Sequence, residues 1–136
     1  MQNPPPVQTT KSSTGLDENI AALLSYIFGW IGGLIFFLIE KESRFVRFHA
    51  MQSLLLNVLF VVIFIVLWVV SIVMVVISSQ LPGALAMVVN LIVTLFWIAL
   101  WVGLVIAWIM CLIKAFQKQY FKLPIIGNMA EKFSAK

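Results

Sequence analysis

A short polar segment between two long apolar runs carries the side chains best suited to binding. It extends from Glu40 to Ser53 and reads EKESRFVRFHAMQS. On a helix, with about 100° between residues, Glu40, Arg44 and Arg47 fall on one narrow arc. A guanidinium group binds phosphate or carboxylate through two donors at once, which suits an anionic lipid headgroup or an acidic partner loop. The alternative is that the arginines only anchor the chain at a membrane surface. The predicted partner-binding or lipid-binding residues are Arg44, Phe45, Arg47, Phe48, His49 and Gln52.

A polar stripe continues from this segment into the following apolar run. His49, Ser53 and Asn57 recur every four residues, and Gln52 lies beside them. Polar side chains inside a membrane mark either a substrate or ion path or hydrogen bonds between helices. We favour hydrogen bonding between helices.

A second row follows the last apolar run and is rich in tryptophan. Its members share one helical face: Asn90, Thr94, Trp97, Trp101 and Trp108. Such a row could line a site for a quinone or a lipid tail. Rows of this kind more often serve helix packing or anchoring at the interface, which is the interpretation we favour.

The remaining residues do not form a recognisable reaction centre. The chain has a single cysteine, Cys111, and a single histidine, His49, which is too few for an internal disulfide or a zinc cluster. The sequence has no nucleophile and base pair, no phosphate-binding glycine loop, and no charged residue inside an apolar run. We therefore predict no enzymatic activity, no catalytic residue, no metal and no cofactor. The nine Lys and Arg lie beside the apolar runs and form no basic helix, so we expect no nucleic-acid partner.

The elements that position these side chains must lie in a membrane. The chain has 136 residues, of which 62% are hydrophobic and 10% are charged, too little polar surface to cover a water-soluble core. Three apolar runs cover about 20–39, 50–77 and 84–113, each long enough to cross a bilayer as a helix. The prediction is an all-α integral membrane protein with three transmembrane helices, an interfacial amphipathic segment and a basic interfacial carboxyl-terminal tail.

The first apolar run has a stripe of small residues. Ala21, Ser25, Gly29 and Gly33 recur every four positions and predict a face on which another helix packs closely. The alternative is a hinge at Gly29, Gly32 and Gly33 that would turn the run into a short re-entrant hairpin.

The two ends of the chain differ from the middle in composition. Residues 1–15 include three successive prolines and predict a disordered tail. Residues 16–133 are predicted to form a single helical transmembrane domain. Residues 114–136 carry five lysines and one acid among spaced apolar residues, which is typical of a segment lying on a membrane surface.

Two strings carry a resemblance to known proteins. RFVRFHAMQSLLLNV, preceded by LIEKES, and KLPIIGNMAEKF near the carboxyl end resemble a widespread family of small prokaryotic membrane proteins of unknown function. That family is in turn similar to the twenty-kilodalton component of the chloroplast inner-envelope import translocon (Tic). The resemblance covers about Leu16 to Phe133 and implies a small multi-pass membrane protein, with a translocon-like channel as one implied role.

These observations lead to one expected role and one alternative. The expected role is a structural or accessory subunit of a larger membrane complex, and the alternative is a self-associating pore or carrier. The expected partners are the lipid bilayer and either further copies of this chain or an unknown membrane protein. With three crossings, the positive charges place Glu40–His49 and the carboxyl terminus in the cytoplasm and the amino terminus outside a cell (inner) membrane.

Overall fold

The computed structural model describes residues 11–135. They form five helices: α1 (Glu18–Ile27), α2 (Gly29–Ile39), α3 (Arg44–Ser78), α4 (Gly83–Phe116) and α5 (Ile126–Ser134). Every named element within residues 11–135 is a helix, so the all-α prediction is confirmed for that range. The chain divides into two units. The first contains the described parts of Met1–Asn57 and Met110–Lys136, and the second is Val58–Ile109.

The first apolar run forms two helices, in contrast to the single span predicted for 20–39. The break lies at Phe28, and Gly29 follows with φ of +61°, a conformation that costs little only for glycine. The 10 residues of α1 and the 11 of α2 each rise by about 15 Å, half the thickness of a hydrocarbon core. The hinge that the sequence offered as an alternative therefore agrees with the structure.

Two helices among residues 11–135 are long and apolar enough to cross a membrane. They are α3, in which an 18-residue stretch has mean hydropathy 3.4, and α4, in which such a stretch has 2.5. A third crossing helix is not found in that range because the run that would supply it is divided. Among residues 11–135, length and composition thus support membrane spanning for α3 and α4.

The second unit is a helical hairpin closed by a short loop. Half-buried side chains recur at intervals of three and four along both helices, the spacing of a seam between two packed helices. On α3 they include Phe60, Leu67 and Ser71, and the indole of Trp97 on α4 donates to Ser71 Oγ at 2.8 Å. The Phe60 and Trp101 rings lie 5.6 Å apart in an edge-to-face arrangement. Two tryptophans of the predicted row thus take part in helix packing.

The first unit has its core around the beginning of α3. Small and aromatic side chains from four helices meet there, because close approach of backbones needs small residues on at least one side. The cluster consists of Ala21, Ala22, Tyr26, Phe36, Phe45, Val46, Ala50, Cys111 and Ala115. A second cluster joins Phe48 and Met51 of α3 to Ala130 of α5.

The carboxyl-terminal tail is part of this first unit. The sequence placed its beginning at Lys114, but that residue belongs to the last turn of α4. α5 follows Pro124 and buries Ile126, Gly127 and Ala130. A Cβ on Gly127 would come within 2.6 Å of Lys122 Cα, so the chain turns tightly before α5.

Candidate functional site

Four polar side chains lie together in the interior of the first unit. Tyr26 is 1% exposed, and His49, Gln52 and Ser53 are 0% exposed. A buried polar group without a partner costs a few kcal/mol, so the partners of these groups decide what the site does.

Gln52 holds the segment that follows α4. Its Nε2 donates to the carbonyl of Phe121 at 2.9 Å, and the backbone N–H of Leu123 donates to its Oε1 at 3.3 Å. A neighbouring β-strand would bond one carbonyl and one N–H on the same edge of an extended segment. Here the side-chain amide of Gln52 makes that pair of bonds. The second Nε2 proton is directed to Tyr26 Oη at 3.0 Å.

His49 extends this network in one direction. Its Nε2 lies 3.0 Å from the carbonyl of Gln119, which only accepts, so Nε2 carries the proton. In the neutral ring Nδ1 is then an acceptor, and it lies 3.1 Å from Tyr26 Oη. The bonds therefore run from Gln52 to Tyr26, from Tyr26 to His49, and from His49 to Gln119.

Ser53 and Asn57 complete the polar stripe, and Ser53 binds the hinge between α1 and α2. Ser53 Oγ donates to the carbonyl of Ser25 at 2.8 Å and approaches that of Gly29 at 3.3 Å. Asn57 Nδ2 donates to the Ser53 carbonyl at 2.8 Å. Throughout residues 11–135, every buried side-chain nitrogen or oxygen has a hydrogen-bond partner. His49 and Ser53 thus make bonds between segments, as the favoured interpretation predicted, whereas Asn57 bonds within α3.

Aromatic rings surround His49 on three sides. The ring centroids of Phe45 and Phe48 lie 4.6 Å and 5.1 Å from that of the imidazole, both nearly edge-to-face. Tyr120 lies 5.2 Å from Phe45. Phe45 and Phe48 are themselves buried, so the imidazole lies against apolar rings in the interior.

The predicted binding surface is therefore largely interior. Phe45, Phe48, His49 and Gln52 are at most 6% exposed, which leaves two arginines of the predicted set outside the core. The amphipathic face predicted to bind lipid or a partner packs against the chain's own residues 119–130. The sequence alone contains no signal for that pairing.

The two arginines have different surroundings. Arg47 Nη1 donates to the carbonyl of Glu40 at 3.0 Å, and its guanidinium lies 4.8 Å from the centre of the Phe37 ring. Arg44 is exposed and is the first residue of α3. Because α3 begins at Arg44, Glu40 lies outside the helix. The predicted helical arc of Glu40, Arg44 and Arg47 is therefore not formed.

Glu40 instead ties the amino-terminal residues to the polar segment. Its carboxylate, fully buried, accepts from the backbone N–H groups of Ser43 at 2.9 Å and Glu42 at 3.0 Å, and from the Ser13 hydroxyl at 2.7 Å. Burial raises the pKa of Glu40, but the hydrogen bonds from Ser43, Ser13 and Glu42 together outweigh it and hold the pKa below its ordinary value.

The contact between Ser13 and Glu40 also bears on the predicted topology. The Ser13 backbone N–H lies 2.9 Å from Glu40 Oε2, so both residues lie on the same side of any membrane. The prediction of an external amino terminus and a cytoplasmic Glu40–His49 segment requires opposite sides, which this contact contradicts. The division of the first run into α1 and α2 is the physical reason.

The small-residue stripe lies in the interior of the first unit. Ala21 and Ser25 are fully buried. A Cβ on Gly33 would come within 2.8 Å of the Ala50 carbonyl oxygen and 3.0 Å of the Leu54 nitrogen, so the backbones of α2 and α3 are in direct contact there. The stripe contacts a helix of the same chain.

Several residues of this site were absent from the sequence-based set. Tyr26 lies within an apolar run, where its hydroxyl was the one signal, because a buried tyrosine usually bonds a partner. Ser13 and the backbone of residues 119–123 gave no signal. Within residues 11–135, no three His, Cys, Asp or Glu side chains are placed to hold a metal ion.

Comparisons with known proteins agree with a membrane protein. The chain is 43% identical over 124 residues to a UPF0132 membrane protein of Methanocaldococcus jannaschii, covering 91% of this chain and 94% of the relative. It is 40% identical over 117 residues to a UPF0132 membrane protein of Archaeoglobus fulgidus, covering 86% and 95%. No solved structure matches.

These relatives confirm the prediction of a small prokaryotic membrane protein family of unknown function. The distant similarity to the chloroplast translocon component stays a prediction. Residues 15–130 match the model of a family described by its part in magnetosomes. The matched range includes α1 to α4, the polar network and most of α5. The chain belongs to the magnetosome magnetite crystal formation protein family.

Proposed function

We propose that this protein is a non-enzymatic structural or accessory subunit of a larger membrane complex. The observation that carries the proposal is the use of its buried polar groups. Across residues 11–135 they bond to one another or to the backbone, and they hold segments of one unit together. A path for a solute would instead need polar groups facing an open passage.

The second unit supplies the surface for a partner. Between Ala50 and Ile113 the sequence has no charged residue, and apolar side chains on the outer faces of α3 and α4 are about half exposed. Val69 is 51% and Leu91 56% exposed. Lipid chains or helices of another membrane protein can cover such faces, and close fit then decides which of the two is preferred.

The names of the relatives support membrane location. The family description concerns magnetite crystal formation in magnetosomes, and the two archaeal relatives are described as membrane proteins. For this chain we propose what the names of the archaeal relatives state, a protein that works within a membrane.

We also propose a two-span topology, based on the division of the first apolar run into α1 and α2. If α1 and α2 enter the membrane as a hairpin and leave on the side they came from, residues before α1, the 40–43 segment and the residues after α4 share one side. All nine Lys and Arg then lie in those segments or at the adjoining ends of α3 and α4, and none lies in the loop between α3 and α4. This is the strongest cytoplasmic bias that the sequence allows.

Cysteine labelling in intact cells tests this topology. In a Cys111→Ala background, Ser79→Cys should react with an impermeant reagent from outside. A tag before Leu16 and Ser134→Cys should react only after the membrane is opened. External labelling of the amino-terminal tag would restore the three-span arrangement.

Paired substitutions test the subunit role. Val69→Trp with Val73→Trp changes the outer face of α3, and Leu91→Trp with Leu95→Trp changes that of α4, all at positions at least 51% exposed. Purification in native lipid should recover a distinct membrane protein with the parent, and one of the two double variants should recover markedly less.

The alternative, a self-associating pore or carrier, gives a different result. Reconstituted protein would then release solutes from liposomes without any co-purified partner. Equal recovery of the partner with both double variants would contradict a contact through the second unit.

A further inference from the structure

We propose that the first unit binds a phosphate group in a cavity beside the beginning of α3. The cavity has a volume of about 580 Å³. Its walls come from the segments before α1, around the start of α3 and after α4: Lys11, Glu18, Glu42, Ser43, Arg44, Phe45, Lys118 and Tyr120. A volume within about 300–1,000 Å³ is usual for small-molecule sites, so the cavity accommodates a whole polar headgroup.

Three cationic side chains line this cavity. Within residues 11–135, the side chains of Lys11, Arg44 and Lys118 make no hydrogen bond or ion pair. Of the other basic side chains, Lys122 pairs with Glu131 and Lys114 donates to Gln119, whereas Lys41 and Lys132 lie outside the cavity. Unpaired cations grouped around one space favour an anion, and Arg44 adds planar donors that match phosphate oxygens.

The acidic residues of the wall narrow the class of ligand. Glu18 and Glu42 reduce the formal charge of the lining to +1, and Glu18 also accepts a hydrogen bond from the Ser43 hydroxyl. These carboxylates disfavour a bare, highly charged anion. They suit a phosphate that carries hydroxyl groups nearby, since those can donate to a carboxylate while the phosphate oxygens accept from the cations.

Tyr120 provides a further donor at the wall. Burial raises the pKa of Tyr120, the Glu18 carboxylate raises it further, and Arg44 opposes both, so the pKa lies above its ordinary value of 10.0. The phenol therefore remains protonated at neutral pH. The ligand class is a phosphate ester of a polyol, present either as a soluble glycerol phosphate or as the headgroup of phosphatidylglycerol.

Two probes distinguish these sources. Titration calorimetry of the full chain in a neutral detergent measures binding of glycerol 3-phosphate. Native mass spectrometry measures retention of phosphatidylglycerol against phosphatidylcholine, which has the phosphate but lacks the hydroxyl donors. Binding in the first measurement assigns a soluble ligand, and selective retention in the second alone assigns the lipid.

Matched variants test the location. Arg44→Gln with Lys118→Asn removes two cations from the cavity, and asparagine tolerates the positive φ of 58° at position 118. Lys41→Gln with Lys132→Gln removes two exposed cations outside it. Affinity should fall at least tenfold in the cavity variant and less than twofold in the control.

Both variants should unfold at the temperature of the parent, because the substituted side chains make no bond within the described residues. If the cavity variant unfolds early, Arg44→Lys replaces it, and weaker binding with unchanged net charge supports the proposal. Equal losses in the cavity variant and the control would overturn it, as would a parent that retains neither glycerol 3-phosphate nor phosphatidylglycerol.

Discussion

The amide of Gln52 bonds to the backbone on both sides of Lys122, so one side chain fixes the path of residues 121–123. Because the Gln52 amide bonds only backbone groups of residues 121–123, this contact does not depend on the side chains that those residues carry. The buried position of Gln52 excludes water from these bonds, which makes each more costly to lose.

Replacing Gln52 with leucine tests this function. The change keeps the volume but leaves the Phe121 carbonyl and the Leu123 N–H without partners, so we expect unfolding free energy to fall by about 2–4 kcal/mol. Thermal unfolding in detergent measures the loss. Gln117→Leu, at an exposed position, is the control and should change stability by less than about 0.5 kcal/mol. Equal effects would remove the special role of Gln52.

Glu40 makes stability depend on pH. Since its pKa in the folded protein is lower than in the unfolded chain, its contribution is fully present above the ordinary value of 4.5. The contribution is lost as the pH falls through the lower, folded value. We therefore expect Glu40→Gln to unfold at a lower temperature than the parent at pH 7, with the difference shrinking below pH 4.5.

Melting temperatures between pH 7 and pH 3 measure that difference. Glu42→Gln changes an exposed carboxylate two residues away and should follow the parent curve. A constant gap between parent and Glu40→Gln over the whole range would show that the carboxylate charge is not what the hydrogen bonds stabilise.

At the scale of elements, the contact between α2 and α3 depends on one missing side chain. In Gly33→Ala the new Cβ meets backbone atoms of α3, which cannot rotate away, so we expect a loss of about 1–3 kcal/mol. A Cβ on Gly103 in α4 would instead meet no atom within 4 Å. Gly103→Ala should leave stability unchanged or raise it by up to about 1 kcal/mol. Similar losses in both variants would contradict a specific contact.

The sequence predicts some elements well and others poorly, for physical reasons. Long apolar runs without charge predict α3 and α4, because only a helix satisfies the backbone in lipid. The break at Gly29 is harder to predict, because glycine also occurs in unbroken spans and the sequence does not show which glycine adopts a positive φ.

The candidate site divides in the same way. The types and spacing of His49, Ser53 and Asn57 predict hydrogen bonds between segments. His49 and Ser53 make such bonds, whereas Asn57 bonds within α3. Their partners could not be predicted, because backbone carbonyls such as that of Gln119 look alike in every sequence. The sequence predicts a surface location for the aromatic and polar face of 45–52, because nothing in it indicates that residues 119–130 cover this face.

At the scale of the whole molecule, removal of the residues after α4 tests whether the tail is structural. Deleting 117–136 takes away the partners of His49 and Gln52 and uncovers Phe48, so several hydrogen bonds of about 1 kcal/mol each are lost together. We expect the melting temperature to fall by about 10 °C or more. Deletion of 135–136 is the control and should have no effect. An unchanged melting temperature after the longer deletion would indicate that the tail is a surface anchor and does not stabilise the fold.

The bond between His49 and Gln119 joins residues 70 positions apart and has a consequence for biosynthesis. A ribosome adds roughly 5–20 residues per second, so several seconds pass between the synthesis of His49 and Gln52 and the synthesis of residues 119–123. During that interval α1, α2 and α3 have no cover for a polar and aromatic face. The first unit therefore closes only after residues 119–123 have been made, and the polar and aromatic face of α3 needs shielding by the membrane-insertion machinery until then.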